Sequence, residues 1–137
     1  GSEMCIRDSF MEILCMHFPI FLGTQTKSAM VRARVSILII QCRLEPPLLN
    51  GNNSLGSALD QIERFGADAV IISLGVDTFE RDPISFFKLT SSDFIKMGAS
   101  IASLNLPTLF VMEGGYAVEE IGINTVNVLM GFKEKET

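Results

Sequence analysis

Hydrophobic residues in the second part of the chain form two kinds of pattern, helical spacing and short continuous runs, which alternate along the sequence. Leu55, Leu59 and Ile62 lie at helical spacing and predict an amphipathic helix. The next segment, Ala-Val-Ile-Ile-Ser-Leu at 69–74, is a continuous apolar run rich in β-branched residues. Such a run is typical of a strand that is covered on both faces, so the pattern predicts a helix followed by a buried strand.

The same alternation continues towards the end of the chain. Thr90 and Asp93 have the spacing of a capping box and precede apolar residues at helical spacing. Residues 108–112 form a second apolar run, and a third helical pattern extends from 118 to 132. The order helix, strand, helix, strand, helix predicts parallel strands joined by right-handed crossovers. Two strands do not make a stable sheet alone, so we expect partner strands from elsewhere.

The first part of the chain lacks this regularity. Residues 35–40 could form a strand, but most of the remaining sequence in this part shows no sustained period. A Pro/Gly/Asn-rich run at 45–54 predicts a loop. Charge changes there as well, since residues 13–44 hold four basic and no acidic residues, whereas 54–137 hold twelve acidic and six basic ones. We therefore separate a poorly patterned segment, 1–53, from an α/β part that follows it.

Composition narrows the class of protein. The 137 residues suit one domain, 47% of them are apolar, and the formal charge of −5 argues against direct nucleic-acid binding. Cys5, Cys15 and Cys42 are odd in number and form no Cys-x-x-Cys pair, so they predict neither a disulfide framework nor a zinc knuckle. The apolar stretch 10–22 is shorter than a membrane span and is interrupted by Glu12. We expect a cytoplasmic protein without a membrane partner.

Candidate chemistry lies directly after the two predicted strands. Asp77 follows the first strand and Tyr116 follows the second, beside Gly114 and Gly115. In open α/β sheets ligands bind outside the carboxyl ends of the strands, so both residues are candidates for one shared site. Taken singly, an Asp after a strand is most often a turn or cap residue, and a lone Tyr beside glycines is usually partly buried with its hydroxyl bonded. Both interpretations remain open on this pattern alone.

Three segments carry a resemblance to a known family. They read Ser-Leu-Gly-Val-Asp-Thr-Phe-Glu-Arg-Asp-Pro-Ile-Ser at 73–85, Phe-Lys-Leu-Thr at 87–90 and Leu-Pro-Thr-Leu-Phe-Val-Met-Glu-Gly-Gly-Tyr at 106–116. Together these segments resemble motifs of the histone deacetylase superfamily, and their sequences are most similar to its acetylpolyamine amidohydrolase-like branch. The resemblance covers about 58–132. It implies an α/β fold with a parallel, three-layer, arginase/deacetylase-like sheet, of which 54–137 would be a C-terminal portion.

The resemblance also implies an activity and roles for particular residues. The implied reaction is zinc-dependent hydrolysis of N-acetyl amides, with acetylated polyamines or acetyl-lysine as substrates. Asp77 matches a zinc ligand of the family, and Tyr116 matches the residue that donates a hydrogen bond to the oxyanion. The remaining expected positions are Gly75, Glu113, Gly114 and Gly115 for substrate binding or loop support, and Asp82 and Pro83 for a structural turn.

The chain departs from the family pattern at several places. The family's other zinc ligands, from an Asp-x-His motif, and its tandem His pair are expected upstream, yet the single histidine, His17, matches neither. Catalytic zinc takes three protein ligands, so we expect this chain alone to be inactive. Arg81 stands where the family usually has glycine, and a side chain there would strain the loop if the position needs a positive φ.

Two alternatives stay open. The first is a non-catalytic α/β structural or interaction module, in which Asp77 and Tyr116 are turn residues; whether the chain forms an oligomer is also open. The second concerns the first part of the chain. The segment Phe-Pro-Ile-Phe-Leu-Gly at 18–23 resembles a segment of the family, but the residues that follow it do not. We therefore hypothesise that 24–47 is translated out of frame and that 1–9 is a cloning or sequencing scar.

Overall fold

The structure is a computed structural model that describes the backbone of residues 4–7, 11–22, 29–40, 51–85 and 87–134, with side chains described for 34–38, 55–85 and 87–134. It contains five strands and three helices within these residues. The strands are β1 (Met4–Arg7), β2 (Met11–Leu22), β3 (Ala29–Ile40), β4 (Ala69–Leu74) and β5 (Thr108–Met112). The helices are α1 (Gly51–Phe65), α2 (Ser91–Ala102) and α3 (Ile121–Glu134).

All five strands lie in one sheet in the order β1-β2-β3-β4-β5. β3, β4 and β5 are parallel, with Leu38 beside Ile72 and Ile72 beside Phe110. The predicted α/β fold, with parallel strands joined by helices, is therefore confirmed. β1 and β2 pair antiparallel with their neighbours and, with β3, are the partner strands that the sequence required. Of these three strands only residues 35–40 of β3 were predicted, although apolar and polar residues alternate over 31–37, a pattern typical of a strand.

The core lies on one face of β4 and against the helices. Val70, Ile72 and Leu74 are at most 1% exposed, whereas the alternate positions of β4 are half-buried. The strand is therefore completely covered on one face and partly covered on the other. Buried side chains from α1 and α2, including Ile62 and Phe94, complete this core. Burial of each such side chain contributes roughly 1.5–3 kcal/mol relative to exposure.

The N-terminus of α2 has the predicted capping box at Thr90 and Asp93. The Asp93 carboxylate accepts hydrogen bonds from the Thr90 backbone N–H at 2.9 Å and from the Thr90 hydroxyl at 2.7 Å. Lys96 donates a third hydrogen bond at 2.8 Å. These bonds, led by the one from Lys96, lower the pKa of Asp93 to about 2. The cap explains why α2 begins directly after Thr90.

Helices α2 and α3 touch through their backbones. A Cβ atom placed on Gly98 would lie 2.0 Å from the carbonyl oxygen of Val128, and one on Gly131 would lie 2.0 Å from that of Ile95. No side chain fits in that space, so glycine at both positions permits this contact. α3 also packs against the sheet, since the rings of Phe110 and Phe132 meet edge to face with centroids 5.2 Å apart.

Candidate functional site

The two loops that follow β4 and β5 lie side by side at the carboxyl end of the sheet. The Glu113 backbone N–H donates to the Leu74 carbonyl at 2.9 Å, and the Val76 N–H donates to the Gly114 carbonyl at 2.8 Å. These hydrogen bonds continue the β4–β5 ladder beyond the strands. Parallel strands end at the same edge, so Asp77 and Tyr116 are delivered to the same end of the sheet.

Asp77 is buried and lies against the glycines of the second loop. Its residue is 6% exposed, and a Cβ on Gly114 would lie only 2.8 Å from its Oδ2 atom. A Cβ on Gly115 would lie 2.6 Å from Cγ2 of Val76, and Gly115 has a φ of +148°, which side-chain-bearing residues rarely adopt. The close approach of the two loops therefore depends on this glycine pair.

Tyr116 differs from Asp77 in its surroundings. Its residue is 54% exposed, so the phenol reaches solvent at the edge where the Asp77 carboxylate is covered. Its backbone N–H donates a hydrogen bond to Oδ2 of Asp82 at 2.6 Å. Of the loop residues expected beside these two, Gly75 is buried and Glu113 is exposed. The roles assigned to these residues from the family resemblance remain predictions.

Asp82 makes more hydrogen bonds than a turn requires. Its Oδ1 accepts from the Ile84 N–H at 3.1 Å, and its carbonyl accepts from the Ser85 N–H at 3.1 Å, beside Pro83. Its Oδ2 accepts from the N–H groups of Tyr116 and Ala117. These last two residues are 34 and 35 positions away, so no local sequence signal could have indicated the contact.

Arg81 has no positive φ, so the condition under which its side chain would strain the loop is not met. Among the described residues that are not glycine, only Asn105 has a positive φ. The Arg81 guanidinium pairs with the Glu120 carboxylate at 2.6 Å and lies 5.2 Å from the centroid of the Phe79 ring. Arg81 thus forms a second connection between the loop after β4 and the segment that follows Tyr116.

The described residues do not form a complete metal site. No group of three or more His, Cys, Asp or Glu among them could hold a metal ion. Asp77 is a buried oxygen donor at the edge of the sheet, which suits one ligand of a zinc ion. Asp82 is already engaged with backbone N–H groups, and His17 lies in β2, where its side chain is outside the described residues. These residues therefore fit a part of a zinc site and not a whole one.

A groove of about 460 Å³ lies elsewhere, between α1 and α2. Leu55, Leu59 and Met97 line it together with polar residues that include Asp60 and Lys96. Neither Asp77 nor Tyr116 belongs to its lining. The groove is thus separate from the edge of the sheet where the candidate chemistry lies.

Comparisons with known proteins point to one family. A family model described as the histone deacetylase domain matches residues 52–131. Acetylpolyamine amidohydrolase 2 of Pseudomonas aeruginosa is 62% identical over 82 residues, which cover 60% of this chain and 24% of that protein. Acetylpolyamine amidohydrolase of Mycoplana ramosa is 62% identical over 78 residues, covering 57% and 23%.

A solved structure agrees with these relatives. The crystal structure of acetylpolyamine aminohydrolase from Burkholderia pseudomallei superposes with a TM-score of 0.60 at 35% identity, over 62% of this chain and 25% of that one. The chain thus spans about a quarter of the length of the relatives it matches. The matched region includes both loops at the carboxyl end of the sheet.

Proposed function

The chain belongs to the histone deacetylase family, and on that basis we propose that it supplies one side of a zinc-dependent deacetylase active site. The observation that supports this best is the junction of the two loops. Val76 and Gly114 are joined by a hydrogen bond, and Gly114 approaches the buried Asp77 carboxylate closely. These contacts bring the family segments at 73–85 and 106–116 together at one edge of the sheet. This junction is what a shared site requires.

The two motif residues would have different roles. In this proposal Asp77 is one zinc ligand, and the two others belong to an Asp-x-His motif, which the 137 residues do not contain and which the rest of a complete enzyme supplies. Zinc held by a complete ligand set polarises a carbonyl and activates water. Tyr116 donates a hydrogen bond from its phenol to the negatively charged oxygen that develops during amide hydrolysis, and its exposure leaves the hydroxyl accessible to a ligand.

The relatives suggest the class of substrate. Several of them are named acetylpolyamine amidohydrolases, and another is named a probable deacetylase. We propose that the intact site hydrolyses the N-acetyl amide of a small acetylated amine, with acetyl-lysine as the second substrate to be tried. The chain alone holds too few zinc ligands among its described residues, so we expect it to be inactive by itself.

A chimeric enzyme tests this function directly. Residues 52–131 would replace the matching segment of the Pseudomonas aeruginosa acetylpolyamine amidohydrolase 2, which supplies the rest of the protein. We expect the chimera, loaded with zinc, to release acetate from an acetylpolyamine, whereas the 137-residue chain releases none. Tyr116→Phe in the chimera should lower kcat by roughly 10²- to 10³-fold, since it removes one oxyanion donor.

Matched variants separate catalysis from folding. Asp77→Asn should reduce zinc binding, measured by metal analysis, together with activity, whereas Asp60→Asn, an exposed change in α1, should alter neither. A folded, zinc-loaded chimera without activity would contradict the proposal and favour the non-catalytic module. Activity that survives Tyr116→Phe unchanged would contradict the role of Tyr116.

The location of the protein in the cell is part of the proposal. None of the three helices in the described part of the chain has both the length and the apolar character needed to cross a membrane. The cysteine pattern and the small-molecule chemistry of the relatives support a cytoplasmic enzyme. Subcellular fractionation of cells that carry the native gene would test this location.

A further inference from the structure

The side chain of Asp82 connects the two motif loops through backbone hydrogen bonds. It is 5% exposed, and its Oδ2 accepts from the Tyr116 N–H at 2.6 Å and from the Ala117 N–H at 3.1 Å. Its Oδ1 accepts from the Ile84 N–H at 3.1 Å in its own loop. One buried carboxylate thus joins the segment that carries Asp77 to the segment that carries Tyr116.

Tyr116 needs such an anchor because its own side chain provides little packing. The residue is 54% exposed, so contacts with the core do not determine where the phenol lies. The preceding residue, Gly115, has a φ of +148°, a conformation that only glycine adopts readily, and it has no side chain that could anchor the segment. The position of the Tyr116 Cα therefore depends on the hydrogen bond at its N–H, and a bond to a charged carboxylate is short and strong.

A second, weaker connection lies beside the first. Arg81 pairs with Glu120 at 2.6 Å, and Glu120 is only four residues after Tyr116. The Arg81 side chain is 66% exposed, so solvent screens this pair far more than it screens the buried Asp82 contact. The two connections hold both ends of the segment from 116 to 120 against the loop after β4.

We propose that Asp82 is a positioning residue for Tyr116, which fixes the backbone from which the phenol extends. The catalytic meaning of this inference rests on the proposed function, whereas the mechanical link between Asp82 and Tyr116 does not. Asp82 does not itself touch substrate in this proposal. It acts through Tyr116, with Arg81 in a supporting position.

The 137-residue chain contains its own probe for this link. Tyr116 is the only tyrosine and there is no tryptophan, so the intrinsic tyrosine fluorescence reports on this residue alone. In the unchanged protein we expect the amide hydrogens of Tyr116 and Ala117 to exchange more slowly than those of Val118 and Glu119. Amide exchange of Tyr116 as fast as that of an unstructured residue would overturn the proposal without any variant.

Substitutions then identify Asp82 as the cause. Asp82→Ala should lower the fluorescence anisotropy of Tyr116 and speed exchange of the Tyr116 amide by roughly tenfold or more, since its acceptor is gone. Asp82→Asn keeps an acceptor oxygen in place and should give intermediate values of anisotropy and exchange rate. If Asp82→Ala does not fold, the same two measurements on Asp82→Asn test the link. Asp60→Ala removes an exposed aspartate and should change neither signal. A folded Asp82 variant with the anisotropy and exchange of the unchanged protein would refute the link.

The catalytic consequence is measured separately, in the chimera. Asp82→Asn should lower kcat by roughly 10- to 10²-fold with little change in KM, because a displaced phenol stabilises the reaction less well. Combined with Tyr116→Phe it should add almost nothing, since both changes act through one group. Fully additive losses would refute the positioning role. If Tyr116→Phe alone has no effect, the proposed role of Tyr116 fails, whereas the exchange and anisotropy results still decide the link.

Discussion

Individual carboxylates in this chain are distinguished by what surrounds them. Asp77 is buried against a glycine, Asp82 is buried and accepts backbone N–H groups, and Asp93 caps a helix beside Lys96. The sequence pattern identified the role of Asp93, because both partners of a capping box lie within three residues. The link from Asp82 to Tyr116 spans 34 residues, and only the folded chain reveals it.

Asp93 should make the stability of the protein depend on pH in acid. Its pKa in the folded protein is about 2, below the ordinary value of 3.8, so its contribution is complete above about pH 4 and is lost as the pH falls through about 2. Asp93→Asn should cost about 1 kcal/mol of unfolding free energy at pH 7. Denaturant unfolding of both proteins at pH 7, 4 and 2.5 should show this difference shrinking in acid.

Thr90→Ser is the control for this experiment, because it keeps the hydroxyl that donates to Asp93. We expect its unfolding curves to follow the unchanged protein at each pH. A difference between the Asp93→Asn variant and the unchanged protein that stays constant from pH 7 to 2.5 would mean that the charge of Asp93 does not contribute.

At the scale of secondary-structure elements, the packing of α2 against α3 depends on glycine. The two helix backbones approach so closely that no larger residue fits between them. Periodicity predicted both helices, but it contains no information about which helix touches which. Gly98 and Gly131 lie where one helix backbone meets the other, and each would bring a Cβ within 2.0 Å of a carbonyl oxygen. A glycine inside a helix ordinarily lowers its stability, so these two positions are explained by packing rather than by propensity.

Gly98→Ala should therefore destabilise the protein although alanine favours helices. We expect a loss of about 3 kcal/mol of unfolding free energy, since the added methyl group meets backbone that has no room to move. Gly122→Ala in α3 is the matched control: nothing lies within 4 Å of its Cβ position, and its stability should stay equal or rise by up to about 1 kcal/mol. Equal effects of the two substitutions in denaturant unfolding would contradict the inferred contact.

The molecule as a whole leaves apolar side chains exposed at the edge strand β5 and on α3. β5 is the last strand in the described sheet order, and its residues Leu109 and Val111 are 57% and 39% exposed. Three residues on one face of α3 are also exposed, namely Ile123, Val126 and Met130. Exposed edge strands and apolar patches of this kind favour association between chains.

We expect the chain to associate increasingly with concentration, and Val111→Lys to reduce that association by placing a charge on the edge strand. Sedimentation velocity at several concentrations measures this directly. Ser57→Lys adds the same charge at an exposed position of α1 and should leave association unchanged. If both lysine variants reduce association equally, net charge is responsible rather than the edge strand.

The sequence by itself determined the α/β order beyond residue 54, the capping box at Thr90, and the three segments that indicated the family, because each depends on neighbours close along the chain. Tertiary structure alone decided which strands complete the sheet, how closely α2 and α3 approach, and that Asp82 and Arg81 connect the two motif loops. It also showed that Arg81 needs no positive φ. These features join residues that are distant in sequence, and a local pattern of hydrophobic and polar positions does not encode such contacts.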